Sequence, residues 1–145
     1  MYQTPTRNLG PIIVIDDDPD DREVLKEIFE KIDYPNVVRY FVDGETALEY
    51  LNRTDVIPFL ILSDINMPVL DGFALRDKVK IDAKLQVKCI PYLFFTTASN
   101  QQLIIDAYSK SVQGFFIKPN SVELFEKTIR AIMEYWSLCA SPNNS

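Results

Sequence analysis

Short unbroken apolar runs alternate along this chain with longer segments whose apolar residues return every three or four positions. Ile12-Ile13-Val14-Ile15 is a continuous β-branched run, the pattern of a strand buried on both faces. Similar runs at 37–42, 59–62, 92–95 and 115–117 bring the expected strands to five. Between them, Val24, Leu25, Ile28, Phe29 and Ile32 share one face of a first helix, opened by Asp18 as cap and Pro19 at its first position. A second helix is expected from Asp43-Gly44, burying Ala47, Leu48 and Leu51, and a third from Asp71-Gly72, with Phe73, Leu75 and Val79 as its apolar positions. The fourth begins around Ser99-Asn100 and carries Leu103, Ile104, Ala107 and Tyr108. The last follows Asn120, whose spacing to Glu123 resembles a capping box, and buries Val122, Phe125, Ile129, Ile132 and Trp136. Five strand–helix alternations predict an α/β domain, a parallel sheet covered on both faces and wound by right-handed crossovers. Residues 1–10 and 137–145 read as loose ends around one domain at 11–136.

Composition narrows the function classes. Fifteen basic against 21 acidic residues leave a net charge of −6, a poor basis for holding nucleic acid phosphates. The two cysteines, Cys89 and Cys139, match no metal or redox spacing, and a reducing compartment is expected. Neither a signal peptide nor a run near the ~20 apolar residues of a membrane span is present, so the reading is a cytoplasmic protein. There is no histidine, which removes Ser/His and Cys/His catalysis and histidine-held zinc. Any phosphohistidine must come from another protein.

Ligands of open parallel sheets gather at the carboxyl ends of the strands. The first strand ends there in Asp16-Asp17-Asp18, the third in Ser63-Asp64-Ile65-Asn66, the fourth in Thr96-Thr97-Ala98 and the fifth in Lys118-Pro119. Asp18 is accounted for as a helix cap, and Asp20 and Asp21 as first-turn residues that suit the helix dipole. Asp16, Asp17 and Asp64 have no such explanation. Crowded carboxylates repel, and a proton or a cation relieves them. With neither His nor Cys nearby, the oxygen ligands select Mg²⁺, with Mn²⁺ as substitute. Such a metal would screen the site so that one Asp attacks a phosphoryl group, with Lys118 and Thr97 contacting its oxygens. Taken singly, Lys118 is better explained as a surface charge and Thr97 as strand filler; their convergence on the carboxylates reverses that and favours function.

These residues resemble the receiver domains of bacterial two-component response regulators. The resemblance covers about residues 11–136 and rests on Asp16-Asp17, Asp64-Ile65-Asn66-Met67-Pro68 with Asp71-Gly72, Thr97-Ala98 and Lys118-Pro119, in that order. It implies a flavodoxin-like (βα)5 fold with strand order 2-1-3-4-5. Asp64 becomes the phospho-acceptor, fed by a sensor histidine kinase or a histidine phosphotransfer protein. Asp17, Asp64 and the backbone carbonyl of Asn66 become direct Mg²⁺ ligands, with Asp16 acting mainly through water. Thr97 and Lys118 match the phosphate-contacting pair, Phe115 the switch aromatic, and Asn66 and Ser99 the positions that tune phosphoryl lifetime. Phe115 has no hydroxyl, so only a packing switch is open to it; a plain core role is the alternative. The Lys118–Pro119 peptide is expected to be cis. The chain would not act as an enzyme on other molecules, catalysing only its own phosphorylation and slow dephosphorylation.

The chain shows no output domain after the last helix, so output is expected to pass through partner docking or homodimerisation on the fourth helix, fifth strand and last helix. That last helix carries a second stripe, Leu124, Thr128, Ala131 and Tyr135, with Leu138 beyond it. Tyr108 and Tyr135-Trp136 bear a weaker resemblance to receivers serving phytochrome-type kinases, short of an expectation. Three rivals differ in chemistry. A haloacid-dehalogenase-type phosphatase needs an Asp where Asn66 stands. A flavodoxin-like FMN carrier would find its phosphate repelled by residues 16–18. A receiver-like docking module that is never phosphorylated is the alternative to the switch.

Overall fold

The computed structural model describes residues 9–53, 55–97 and 100–142. Its strands are β1 (Ile12–Ile15), β2 (Val38–Phe41), β3 (Leu60–Ser63), β4 (Tyr92–Thr96) and β5 (Gly114–Ile117). The helices are α1 (Pro19–Ile32), α2 (Gly44–Leu51), α3 (Gly72–Ile81), α4 (Ala83–Gln86), α5 (Gln101–Ser109) and α6 (Val122–Leu138). The five strands form one parallel sheet in the order β2-β1-β3-β4-β5, as the resemblance implied.

Alternation along each strand divides the core. Ile12, Val14, Leu60, Leu62, Leu93 and Phe95 pack against Leu25, Ile28 and Phe29 of α1 and Phe125, Ile129 and Met133 of α6. Ile13, Ile15, Ile61, Tyr92 and Phe94 face Ala47 and Leu51 of α2, Leu75 and Val79 of α3, and Ala107 of α5. Each fully buried Ile or Leu contributes roughly 1.5–3 kcal/mol relative to exposure, so the two faces together outweigh any single polar contact.

Four helix starts fall where the caps predict. Asp18, Asp43, Asp71 and Asn100 each accept a hydrogen bond from a backbone N–H of the following turn. Four details differ. The cap of α6 is Ser121, not Asn120, because it is the Ser121 side chain that accepts from Leu124 N–H. The helix also continues to Leu138, past the expected boundary at 136. A short α4 follows α3, because Asp82 both ends one helix and caps the next. Val122, expected to be buried, is 65% exposed at the first turn of α6, and Trp136 is only half-buried; Met133 takes the core position instead.

The register positions the site. Ile15 pairs with Ser63, so Asp16 and Asp64 leave adjacent strands at one level, and Asp64 N–H donates to Ile15 O at 2.9 Å. Thr96 pairs with Ile117, which brings Thr97 and Lys118 out together on the same rim.

Candidate functional site

Lys118 is the centre of the carboxyl rim. Its Nζ lies 2.6 Å from Asp16 Oδ2, 2.8 Å from Asp21 Oδ2 and 3.0 Å from Asp64 Oδ2. These are lengths of charge-assisted hydrogen bonds. Asp16, Asp64 and Lys118 are buried, whereas Asp17 is exposed. Asp16 Oδ1 accepts from Asp18 N–H at 2.9 Å, and Asp64 Oδ1 from Ile65 N–H at 2.7 Å. Arg22 donates to the Asp16 carbonyl at 2.7 Å, adding a second cation to the rim.

The electrostatics follow from burial and crowding. Burial pushes the Asp16 carboxyl up to about 6, against the pull of Lys118 and the Asp18 N–H. For Lys118, burial acts to lower the pKa, but the hydrogen bonds to Asp16 and Asp21 and the charges of Asp16 and Asp64 outweigh it and hold the ammonium well above its ordinary range. Four carboxyl groups, those of Asp16, Asp17, Asp21 and Asp64, meet two cations, Lys118 and Arg22, at this rim, which leaves oxygen ligands for a further cation.

One oxygen from each of Asp16, Asp17 and Asp64 lies within 4.8 Å of the others. Ligands on opposite sides of an octahedral Mg²⁺ stand about 4 Å apart, given metal–oxygen distances of 2.0–2.1 Å. The trio therefore fits a small hard cation after a slight contraction, and it offers no soft ligand. Asp16 and Asp64 are each already engaged by Lys118 and a backbone N–H, whereas Asp17 is exposed and open to a cation from solvent.

The β3–α3 loop frames the acceptor. Asn66 is exposed three positions after Ser63. Val69 stands at φ 67, where Leu70 N–H donates back to Pro68 O at 2.8 Å, a tight three-residue turn that is costly for a β-branched residue. Gly72 is required beyond it: a Cβ there would lie 2.2 Å from Asp64 O.

Sequence reasoning placed Asp16, Asp17, Asp64 and Lys118 together, and the structure does so. Thr97 is exposed directly after β4. Phe115 is half-buried with its ring 6.4 Å from that of Phe94, an edge-on core contact. Ser99, and Ala98 beside Thr97, lie outside the described residues. Asp21 was read as a helix-dipole residue alone; its contact with Lys118, 97 positions away, has no local signal beyond the helical spacing that puts it one turn after Asp18. The Lys118–Pro119 peptide is trans, not cis. Trans is favoured by about 0.5–1 kcal/mol in X–Pro bonds, and here it already carries the ammonium to three carboxylates.

Comparison with known proteins gives a consistent result. A family model described as response regulator receiver domain matches residues 12–130. Chemotaxis protein CheY of Pseudomonas aeruginosa is 30% identical over 85% of this chain and 95% of its own length. Among solved structures, the phosphorylated cyanobacterial phytochrome response regulator RcpA superposes with a TM-score of 0.84 at 26% identity, covering 93% of this chain and 99% of that one. The bacteriophytochrome response regulator AtBRR gives 0.72 at 29%, covering 94% and 99%. Among the described residues, no helix is long and apolar enough to cross a membrane.

Proposed function

This chain belongs to the response regulator receiver domain family, and from that premise we propose that it is a phosphorylation switch whose acceptor is Asp64. Receiver domains are two-component signalling modules, not enzymes acting on separate substrates, and they work with sensor histidine kinases. The observation that carries the reading is the Lys118 ammonium held 3.0 Å from Asp64 Oδ2 beside the Asp16–Asp17–Asp64 oxygen cluster.

In this reading an oxygen of the Asp64 carboxylate attacks the phosphorus of a kinase phosphohistidine. The N–P bond breaks and the electron pair returns to the donor imidazole. Asp17, Asp64 and the Asn66 carbonyl would hold Mg²⁺ directly, with Asp16 acting mainly through water. When bound, the ion supplies Lewis-acid stabilisation of the charge that develops on the phosphoryl oxygens. Lys118 exchanges its bond to the Asp64 carboxylate for one to a phosphoryl oxygen. Asp16 and Asp21 keep the ammonium on station throughout. Thr97 takes a second phosphoryl oxygen, and Phe115 repacks against Phe94. The two phytochrome-linked structures make a phytochrome-type sensor kinase the first donor to try.

Residues 11–138, through the end of α6, form the receiver unit in this reading, and its output passes through α5, β5 and α6. That face presents Ile105, Tyr108, Ile117, Leu124 and Tyr135 to solvent, each at least half exposed, as an apolar surface for a partner or a second copy.

The test is intact mass after incubation with acetyl phosphate, with and without Mg²⁺, on wild type and Asp64→Ala. The expected result is one phosphoryl group gained only when both Mg²⁺ and Asp64 are present. Wild type that stays unmodified by acetyl phosphate and by a phosphohistidine donor sinks the reading and leaves an unphosphorylated docking module.

A further inference from the structure

A second route out of the acceptor site runs through α3. The Asp64 carbonyl accepts from the buried Ser63 hydroxyl at 2.7 Å and fills the space where a Gly72 side chain would stand. Gly72 N–H donates to Ile65 O at 2.8 Å, so the first residue of α3 is pressed against the acceptor peptide from both sides. Its own carbonyl accepts from the hydroxyl of Tyr92 at 3.3 Å, and the Ser63 hydroxyl is that phenol's other neighbour. Tyr92 has no exposed surface, and burial raises its pKa, so the phenol stays a donor. One helical turn beyond Gly72, the Arg76 guanidinium lies 5.4 Å from the Tyr92 ring centroid, within cation–π range. Arg76 is only 8% exposed, and it spends Nε on Lys110 O at 3.0 Å and Nη2 on Ser111 O at 2.8 Å. These carbonyls close the carboxyl end of α5, where Ser111 is held at φ 60. Lys110 returns to α3 through Asp77 at 3.0 Å.

We propose that Tyr92 and Arg76 are positioning residues that couple the Asp64 peptide to the α5–β5 turn, so that phosphorylation is felt at the end of α5 through α3 as well as through Thr97 and Phe115. The inference rests on Asp64 being the acceptor. The links near Asp64 are buried, those from Arg76 to the α5 carbonyls are partly buried, and α3 is the element that joins the two ends. An arginine serving only to cap α5 would hold the turn equally in both states of Asp64; a coupling residue makes the turn respond to that state.

The experiment is amide hydrogen exchange over residues 104–114 before and after acetyl phosphate and Mg²⁺, with intact mass read on every sample. Wild type, Tyr92→Phe and Arg76→Met are compared. Tyr92→Phe removes one hydroxyl and keeps the ring, so it serves even where Arg76→Met folds poorly. Both variants are expected to gain the phosphoryl group, while the change in exchange at the turn shrinks by about fivefold or more, the low end of ordinary allosteric coupling. A full-sized response in phosphorylated Tyr92→Phe overturns the coupling alone. Wild type that takes up no phosphoryl group overturns both this coupling and the acceptor reading.

Discussion

Two lysines at opposite ends of the sheet answer burial in opposite ways. At the carboxyl end, Lys118 sits among carboxylates and its pKa rises. At the amino end, Lys88 donates to the Leu51 and Arg53 carbonyls at 2.9 and 3.0 Å beside the end of α2, and burial lowers its pKa. Arg76 belongs with Lys88: it serves the carbonyls ending α5, and burial lowers its pKa too. A cation over helix-end carbonyls meets fixed partial charges that nothing displaces. A cation over carboxylates meets full charges that a metal can share and a phosphoryl group can cover. The first arrangement is a fastening and the second is a site.

Breaking the site end should cost most. Lys118→Met leaves Asp16, Asp21 and Asp64 without their ammonium, and removing one partner of a buried pair costs about 3–5 kcal/mol. Urea denaturation in a chelator should show that loss, with Mg²⁺ restoring more stability to the variant than to wild type. Equal gains from Mg²⁺ would mean that the metal does not use these carboxylates. Gly72→Ala forces a Cβ to 2.2 Å from Asp64 O, and overpacking of this severity costs about 3 kcal/mol. Its melting temperature should fall and Mg²⁺ should not rescue it, since the fault is steric. At the fastening end, Arg76→Met should cost about 1.5–3 kcal/mol, the worth of one charged hydrogen bond rather than two, because water can reach the partly buried Lys110 and Ser111 carbonyls left behind. While Asp64 is unphosphorylated that loss should be the same with Mg²⁺ as without it, since the coupling inferred for Arg76 answers to the phosphoryl group; a dependence on Mg²⁺ alone would erase the distinction between the ends. Lys88→Ala, at a partly solvated position, should cost about 1 kcal/mol by the same denaturation measurement.

The fold was legible because its signals are local. Unbroken runs such as Ile12–Ile15 mark strands covered on both faces, and Asp18, Asp43, Asp71 and Asn100 announce helix starts through bonds that span three residues or fewer. The acidic pair, Asp64 and Lys118 were legible because parallel strands must end on one rim. What escaped were choices made between neighbours or across long separations. Asn120 and Ser121 are both competent caps, and only chain direction decides between them. Asp82 closes one helix and opens another, which a single periodic pattern does not reveal. The partnerships of Asp21 with Lys118 and of Arg76 with Lys110 and Ser111 join residues 34 to 97 positions apart, beyond the reach of periodicity.

The strand order has a consequence for how the molecule is made. Asp16, Asp17, Asp21 and Asp64 all leave the ribosome well before Lys118, which arrives behind the last strand to be synthesised, at the edge of the sheet. A nascent chain that has laid down β1 to β4 carries the acidic rim with Arg22 but without Lys118. Docking of β5 closes the sheet and discharges that rim in one event. Completion of the site therefore waits for β5, and a chain truncated before residue 118 keeps the crowded carboxylates without Lys118.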